Sequence, residues 1–138
     1  MCRLVEHIDD KQFIGYKAVA KKNGKYYSLA IGFQYRQPSM TLGKRTKQKR
    51  IHSTFGVDIL VQGAGGGWEE NMVGRTAAFY TLDQLTWHLF RENGYGKLQN
   101  GYEMVYVRVK LTNDLMSGTY GAPVVAGKTI QILEEVQE

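Results

Sequence analysis

A run of alternating side chains between residues 102 and 111 constrains the fold of this chain more than any other segment. Apolar residues occupy every second position of the run, and they are Val105, Val107, Val109 and Leu111. The positions between them hold Tyr106, Arg108 and Lys110. A period of two places these two sets on opposite faces of a β-strand. The run is therefore predicted to be a strand that covers an apolar core with one face.

A second signal predicts a β-hairpin near the N-terminus. Two runs rich in β-forming residues, 13–20 and 25–32, flank the dipeptide Asn23-Gly24. Both central residues of a type I′ turn need a positive φ, and Asn followed by Gly meets that need with little strain. These two runs are therefore expected to pair as an antiparallel hairpin.

One helix is predicted at about residues 81–93, directly after a short strand at 75–80. Thr81 and Gln84 have the spacing of a capping box, in which each side chain accepts a hydrogen bond from the other residue's backbone N–H. Apolar residues with helical spacing follow, namely Leu82, Leu85, Leu89 and Phe90. Asn93-Gly94 is expected to end the helix, because both residues adopt the left-handed conformation easily.

The rest of the chain predicts short strands and one long loop region. Short strands are expected at residues 57–62, 119–125 and 128–133. Residues 33–74 lack periodicity and contain Pro38, Gly43 and the run GAGGG, so they are predicted to form a long basic and glycine-rich loop region. The predicted fold class is α+β: a small, mostly antiparallel sheet with an N-terminal hairpin and one principal helix, in a single domain spanning residues 1–138.

Composition limits the class of protein. The chain has 138 residues, of which 43% are hydrophobic and 22% charged, as expected of one globular domain. It has no apolar run near the roughly 20 residues that span a bilayer, and its first residues, MCRLVEHIDDKQ, lack the apolar core of a signal peptide. Cys2 is the single cysteine, which excludes an intrachain disulfide. We therefore expect a cytoplasmic protein without membrane partners.

The segment between residues 43 and 75 predicts a site for an anion with a flat ring. The net charge is +5, and residues 44–52 contribute five Lys or Arg residues and no acid. A glycine-rich stretch, residues 63–67, then leads to Trp68. Cations and exposed backbone amides suit phosphate, and an aromatic ring suits a base. The candidate ligand-binding residues are Tyr35, Arg36, Lys44, Arg45, Lys47, Lys49, Arg50, His52, Gly65, Gly66, Gly67, Trp68 and Arg75. A solvated loop that promotes solubility is the alternative interpretation of the same residues.

Motifs of catalysis and cofactor binding are missing from the sequence. The three histidines are scattered, so no metal site is predicted. There is no G-x-S-x-G elbow and no phosphate loop, and GAGGGW is not followed by a helix as a dinucleotide fingerprint requires. The acidic pairs Glu69-Glu70 and Glu134-Glu135 are interpreted as solvating charges, because adjacent strand residues point to opposite faces. We predict no cofactor, no metal and no catalytic residue.

Four segments resemble a loosely defined group of small phage and mobile-element accessory proteins. The segments are GYKAVAKKNGKYYSLAIG, VGRTAAFYTLDQLTWHLF, YEMVYVRVK and AGKTIQIL, which together cover about half of the chain. The shared pattern is an opening hairpin, a strand leading into a Phe-x-Thr-Leu helix, and closing strands. The resemblance implies a viral accessory role that interferes with host defence, in the host cell cytoplasm if the protein is phage-encoded.

Three classes of function follow from these observations. The first is a non-enzymatic binding protein that captures an anionic, nucleotide-like ligand, for which a homo-oligomer could build pockets between subunits. The second is an inhibitor that docks on a nucleic acid or a nucleoprotein such as a CRISPR effector. The third is an enzyme resembling ADP-ribosyltransferases, which would need an acid such as Glu103 or Glu69 beside a nucleotide pocket.

Overall fold

The computed structural model describes residues 3–29, 34–42, 74–92, 101–119 and 121–137. These residues form ten strands and one helix. The strands are β1 (Arg3–His7), β2 (Gln12–Lys22), β3 (Lys25–Ser28), β4 (Gln34–Tyr35), β5 (Met40–Thr41), β6 (Thr76–Phe79), β7 (Glu103–Thr112), β8 (Met116–Thr119), β9 (Pro123–Gly127) and β10 (Thr129–Val136), and the helix is α1 (Leu82–Glu92).

The ten strands form one antiparallel sheet that curls into a half-barrel. The strand order is β1-β8-β9-β6-β2-β7-β10-β5, and β3 pairs with β2 and carries β4 on its other edge. At the centre, β7 pairs along its length with β2 on one side and with β10 on the other. The alternating run at residues 102–111 therefore corresponds to an interior strand of the sheet, paired on both sides.

The predicted α+β class is wrong, because the described residues form a mostly antiparallel β fold with one short helix. Four strands were not predicted. β1 and β8 pair with each other, while β4 and β5 are two-residue strands inside the region expected to be loop, 33–74. Such short strands have no readable periodicity, since they form by pairing with β3 and β10 rather than from their own propensity.

The structure contains the predicted hairpin. β2 and β3 pair from Val19 opposite Ser28 to Lys22 opposite Lys25. Asn23 and Gly24 connect them with φ values of 53° and 75°, the left-handed pair that a type I′ turn requires. The hairpin places Lys21 directly opposite Tyr26.

The sheet has an apolar core on each of its faces. One face packs under the helix, where Ala18, Ala20 and Phe79 of the sheet share an apolar cluster with Leu85 of α1. The other face is lined by residues of the alternate parity, such as Val19, Val107, Val109, Val125 and Ile130, together with Tyr35 and Met40. Side chains of β3 and β10 meet across this second face, so it is the concave one.

The helix begins as predicted, but only one of the two hydrogen bonds of the capping box is formed. The backbone N–H of Gln84 donates to Thr81 Oγ1 at 3.1 Å. Gln84 Oε1 is buried and accepts no hydrogen bond within the described ranges, so the reciprocal half is not formed. Asn93-Gly94 and the side chains of Leu89 and Phe90 lie outside the described residues. In the part of the chain that is described, no helix has the length and apolarity needed to cross a membrane.

β2 and β6 are joined by little backbone pairing. Within the described residues, their register consists of one pair, Tyr16 opposite Phe79. Beside it, a Cβ on Gly15 would lie 2.5 Å from the carbonyl oxygen of Phe79, so only glycine allows this approach. Further along, Lys17 Nζ donates to the carbonyl oxygen of Ala77 at 2.8 Å and bridges the two strands with a side chain.

Candidate functional site

Two polar clusters are the strongest candidates for function among the described residues. The first, called the Glu135 triad, consists of Lys21, Tyr26 and Glu135 on the concave face. The second, called the Asp114 cluster, consists of His7, Arg75, Asp114 and Lys128. The Asp114 cluster lies near the C-terminal end of β7, where Thr112 pairs with Gln12. The Glu135 triad lies near the other end of β7, where Glu103 pairs with Lys21.

The Glu135 triad joins the N-terminal hairpin to the last strand. Tyr26 donates its hydroxyl hydrogen to Glu135 Oε2 at 2.7 Å, and Lys21 Nζ donates to the same oxygen at 2.6 Å. The Lys21 ammonium also lies 6.0 Å from the centre of the Tyr26 ring. A single carboxylate oxygen therefore accepts from two side chains of the hairpin.

A β-bulge in β10 turns Glu135 onto the concave face. Ile132 pairs with Val109 and Glu134 pairs with Arg108, so Leu133 is an extra residue between them. If Leu133 were instead paired regularly with Arg108, Glu134 would follow Ile132 on the concave face and Glu135 would point to the opposite one. Bulges redirect side chains in this way and are frequent beside functional sites.

The same bulge gives Glu134 a different partner. Its Oε1 lies 3.1 Å from Arg108 Nε on the opposite face, in an ion pair without hydrogen-bond geometry. Both glutamates are exposed, as expected of solvating charges, and each also has an ion-pair partner, Arg108 for Glu134 and Lys21 for Glu135. The expectation that the two side chains point to opposite faces agrees with these contacts.

The contacts fix the protonation states of the Glu135 triad. Hydrogen bonds, from Lys21 first and then from Tyr26, lower the pKa of Glu135. Burial, followed by the hydrogen bond to Glu135, raises the pKa of Tyr26, and the hydrogen bond to Glu135 raises the pKa of Lys21. Each of these shifts moves the pKa further from neutral pH. The triad therefore holds an ammonium, a phenol and a carboxylate, and suits fixed hydrogen bonding better than proton exchange.

The Asp114 cluster gathers three basic side chains around one carboxylate. Arg75 Nη2 lies 2.6 Å from Asp114 Oδ2, and Lys128 Nζ lies 3.0 Å from the same oxygen. His7 Nδ1 lies 3.1 Å from Asp114 Oδ1. Arg75 Nε also donates to the backbone carbonyl of Asp114 at 3.1 Å, so Arg75 makes two hydrogen bonds to this residue. The hydrogen bond from Lys128 and the positive charge of Arg75 lower the pKa of Asp114.

A turn with unusual backbone conformation presents Asp114. Asn113 and Asp114 have φ values of 70° and 57°, a region that Asn and Asp enter more readily than other side chains. Backbone hydrogen bonds connect the turn to two neighbouring segments. The Lys128 N–H donates to the Asn113 carbonyl at 3.0 Å, and the Ile8 N–H donates to the Leu115 carbonyl at 3.1 Å. The carboxylate therefore stands where β1, β6 and the β9–β10 connection converge.

The residues on either side of the basic and glycine-rich segment, residues 43–73, contact this cluster. Leu42 N–H donates to the Lys128 carbonyl at 2.7 Å, and residue 43 follows it. The chain is described again from residue 74, and Arg75 binds Asp114. Residues 43–73 are thus attached at both ends to neighbouring members of one positively charged group.

The structure describes three of the predicted ligand-binding residues. Tyr35 is 2% exposed, and its hydroxyl lies 3.3 Å from Thr76 Oγ1, so its ring belongs to the core and cannot stack on a ligand at the surface. Arg36 is exposed. Arg75 belongs to the Asp114 cluster. The others lie outside the described residues: Lys44, Arg45, Lys47, Lys49, Arg50, His52, Gly65, Gly66, Gly67 and Trp68.

Sequence reasoning did not find Lys21, Tyr26, Glu135, Asp114, Lys128 or His7. A weak signal existed for Asp114, because Asn113-Asp114 follows a strand and both residues favour left-handed turns. None existed for the triad, since it depends on a bulge and on the curl of the sheet. The described residues include no group of three or more His, Cys, Asp or Glu side chains that could hold a metal ion.

Neither the models of protein families, nor curated proteins, nor solved structures provide a match to this chain.

Proposed function

We propose that this protein is a non-enzymatic binding protein that captures an anionic, nucleotide-like ligand. Its phosphate would meet the Asp114 cluster and the basic residues that the sequence places between Leu42 and Arg75. The proposal includes an accessory, counter-defence role of the kind found in small phage proteins, which rests on the resemblance described above.

One observation carries this proposal: three basic side chains converge on a single carboxylate where the basic segment is attached. Arg75 and Lys128 contribute two positive charges and Asp114 one negative charge, so the cluster is cationic even with His7 neutral. The side chains of Lys128 and His7 are 40% and 67% exposed and can be reached by a ligand. Guanidinium and ammonium groups in such a setting bind phosphate oxygens through charge-assisted hydrogen bonds.

The chemistry of the Glu135 triad favours binding over turnover. A general acid or base works best when its pKa lies near the working pH. Burial of Tyr26 and the hydrogen bonds within the triad shift all three pKa values away from that range. Glu103, one of the acids considered for an ADP-ribosyltransferase-like activity, is exposed at the start of β7 and pairs in register with Lys21.

Calorimetry with a panel of linear and cyclic nucleotides tests the proposal. We expect one class of nucleotide to bind stoichiometrically and to bind more weakly as salt rises. Lys128→Gln should weaken that binding about tenfold, the cost of one charge-assisted hydrogen bond. Lys25→Gln is the matched control. It removes the same charge at the hairpin turn, roughly 33 Å along the sheet from the cluster, and should leave binding unchanged.

Two outcomes would replace the proposal with its alternatives. Binding of long nucleic acid or a nucleoprotein, without binding of any nucleotide, would identify a docking inhibitor. Recovery of a chemically altered nucleotide after many turnovers per chain would identify an enzyme. Mass spectrometry of the ligand released by denaturation distinguishes the enzyme from the binding protein, for which we expect the nucleotide unchanged.

A further inference from the structure

The Asp114 cluster has an arrangement that a bound anion would normally create. A buried arginine side chain, 7% exposed, donates two hydrogen bonds to a single acidic residue, and a lysine and a histidine complete the group. One of the two arginine bonds goes to the Asp114 carboxylate and the other to its backbone carbonyl, and a phosphate oxygen can accept the first in place of the carboxylate. Asp114 therefore supplies from within the chain the kind of oxygen atoms that an external phosphate would offer.

Solvent reaches the carboxylate from one side. The Asp114 side chain is 36% exposed and that of Lys128 is 40% exposed, whereas that of Arg75 is almost fully covered. An incoming anion can approach over Lys128 and His7 while Arg75 stays in place. The carboxylate carries one negative charge, and a terminal phosphate carries close to two at neutral pH. The phosphate therefore interacts more strongly with the same cations.

Asp114 lies in the turn between β7 and β8 and belongs to neither strand. Asn113 and Asp114 both have positive φ, a conformation that Asn and Asp adopt more readily than other residues with side chains. Release of the Asp114 side chain therefore breaks no strand pairing. Residues in this conformation are frequent at ligand clamps and switches.

We propose that Asp114 occupies the place of a ligand's phosphate in the ligand-free protein, and that a terminal phosphate group competes with it for Arg75, Lys128 and His7. This inference rests on the proposed function and adds its regulation. Asp114 lowers the affinity for anions, so that weakly charged ones are rejected. The ligand class is a phosphate monoester or inorganic phosphate rather than a diester, because only the former brings the extra charge.

The substitution Asp114→Asn tests the inference, since it removes the competing charge and keeps the shape of the side chain. We expect the affinity for inorganic phosphate and for a nucleoside monophosphate to rise about tenfold or more in titration calorimetry. Glu103→Gln is the control, because it adds the same net charge at the other end of β7. Its phosphate affinity should equal that of the unchanged protein.

The results separate this inference from the proposed function. If the unchanged protein binds phosphate and Asp114→Asn binds it equally or more weakly, Asp114 is a structural anchor and the inference fails while the function stands. Equal gains in both variants would mean a general charge effect and would also overturn it. If neither the unchanged protein nor a folded Asp114→Asn variant binds any phosphate compound, both proposals fail.

A measurement on the unchanged protein covers the case in which Asp114→Asn does not fold. Carboxyl carbon NMR signals of Asp114 and Glu135 are followed while inorganic phosphate is added. The inference requires the Asp114 signal to shift with saturation, as its cations are taken over, while the Glu135 signal stays constant. Phosphate binding with an unmoved Asp114 signal would refute it.

Discussion

Tyr26 donates a hydrogen bond to Glu135 across the concave face, although their strands are three positions apart in the sheet. Neighbouring strands lie about 4.8 Å apart, so three spacings in a flat sheet amount to roughly 14 Å. The hydroxyl nevertheless lies 2.7 Å from Glu135 Oε2. The sheet must curl strongly between β3 and β10 for these two side chains to meet, and their hydrogen bond holds that curl.

Removing the Tyr26 hydroxyl should loosen this connection. We expect Tyr26→Phe to lower the free energy of unfolding by about 1 kcal/mol, because a charge-assisted bond to a partly exposed carboxylate is lost. Tyr27→Phe is the matched control, since its ring packs edge-on against Tyr102 on the opposite face. Urea unfolding of the two variants measures the difference. Equal losses in both would show that the Tyr26 hydrogen bond contributes nothing.

Stability should fall at low pH through Glu135 and Asp114. Folding lowers the pKa of both groups. Their stabilisation is therefore complete above their unfolded values, roughly pH 4, and is lost as pH falls through the folded values. In thermal unfolding across this range, Glu135→Gln should be less stable than the unchanged protein near neutrality and should approach it in acid. A constant difference at every pH would contradict the assignment.

Stability should also fall at high pH through Lys21 and Tyr26. Folding raises the pKa of both groups, so their contribution is complete below about pH 10 and disappears as pH rises through the raised values. The ultraviolet titration of the phenols sums all nine tyrosines, and the difference between two variants isolates the contribution of Tyr26. In Glu135→Gln, one tyrosine should ionise at a lower pH than before. An unchanged titration curve would show that Glu135 does not act on Tyr26.

Deleting Leu133 should remove the bulge and leave the faces of Glu134 and Glu135 unchanged. Glu134 would follow Ile132 directly, so the pairs Ile132–Val109, Glu134–Arg108 and Glu135–Val107 would form a regular ladder with Glu135 still on the concave face. The Tyr26 phenol should therefore keep its raised pKa in the deletion variant, unlike in Glu135→Gln. If Tyr26 titrates in a folded deletion variant as it does in Glu135→Gln, Leu133 is not the extra residue of the bulge.

Gly15→Ala should destabilise the protein more than Gly24→Ala. The new methyl group at position 15 would lie 2.5 Å from the Phe79 carbonyl oxygen and from the Phe13 ring, beside the one register pair that joins β2 to β6 in the described chain. We expect a loss of about 2 kcal/mol from this overlap. At Gly24 there is open space and only the positive φ opposes alanine, with a cost of about 1 kcal/mol. Chemical denaturation of both variants gives the comparison.

Local signals predicted the parts of the fold that depend on local physics. The alternation around Val107, the Asn23-Gly24 turn and the Thr81 cap each correspond to an observed strand, turn or helix start. The α+β class was wrong because β1, β4, β5 and β8 leave little local trace. Their existence depends on partners far away in sequence, and such pairing overrides propensity.

The candidate site was less predictable than the fold. Lys21 and Glu135 are 114 positions apart, and Arg75 and Asp114 are 39 apart. The one-residue register shift at Leu133 decides which of two adjacent glutamates faces Tyr26, and sequence periodicity cannot reveal a shift that breaks it. Tyr35 was assigned to a surface site because its aromatic ring suits stacking, yet β4 turns it into the core.

The attachment of Leu42 and Arg75 to the same small group has a consequence for how this protein can vary. The chain leaves the sheet beside Lys128 and rejoins it beside Asp114, two residues already in contact. A short Gly-Ser linker could therefore replace residues 43–73 without altering the route of either flanking strand, since closing a shorter loop costs less entropy. The half-barrel would then be a fixed scaffold, and a different sequence inserted between Leu42 and residue 74 could give the same scaffold a different ligand.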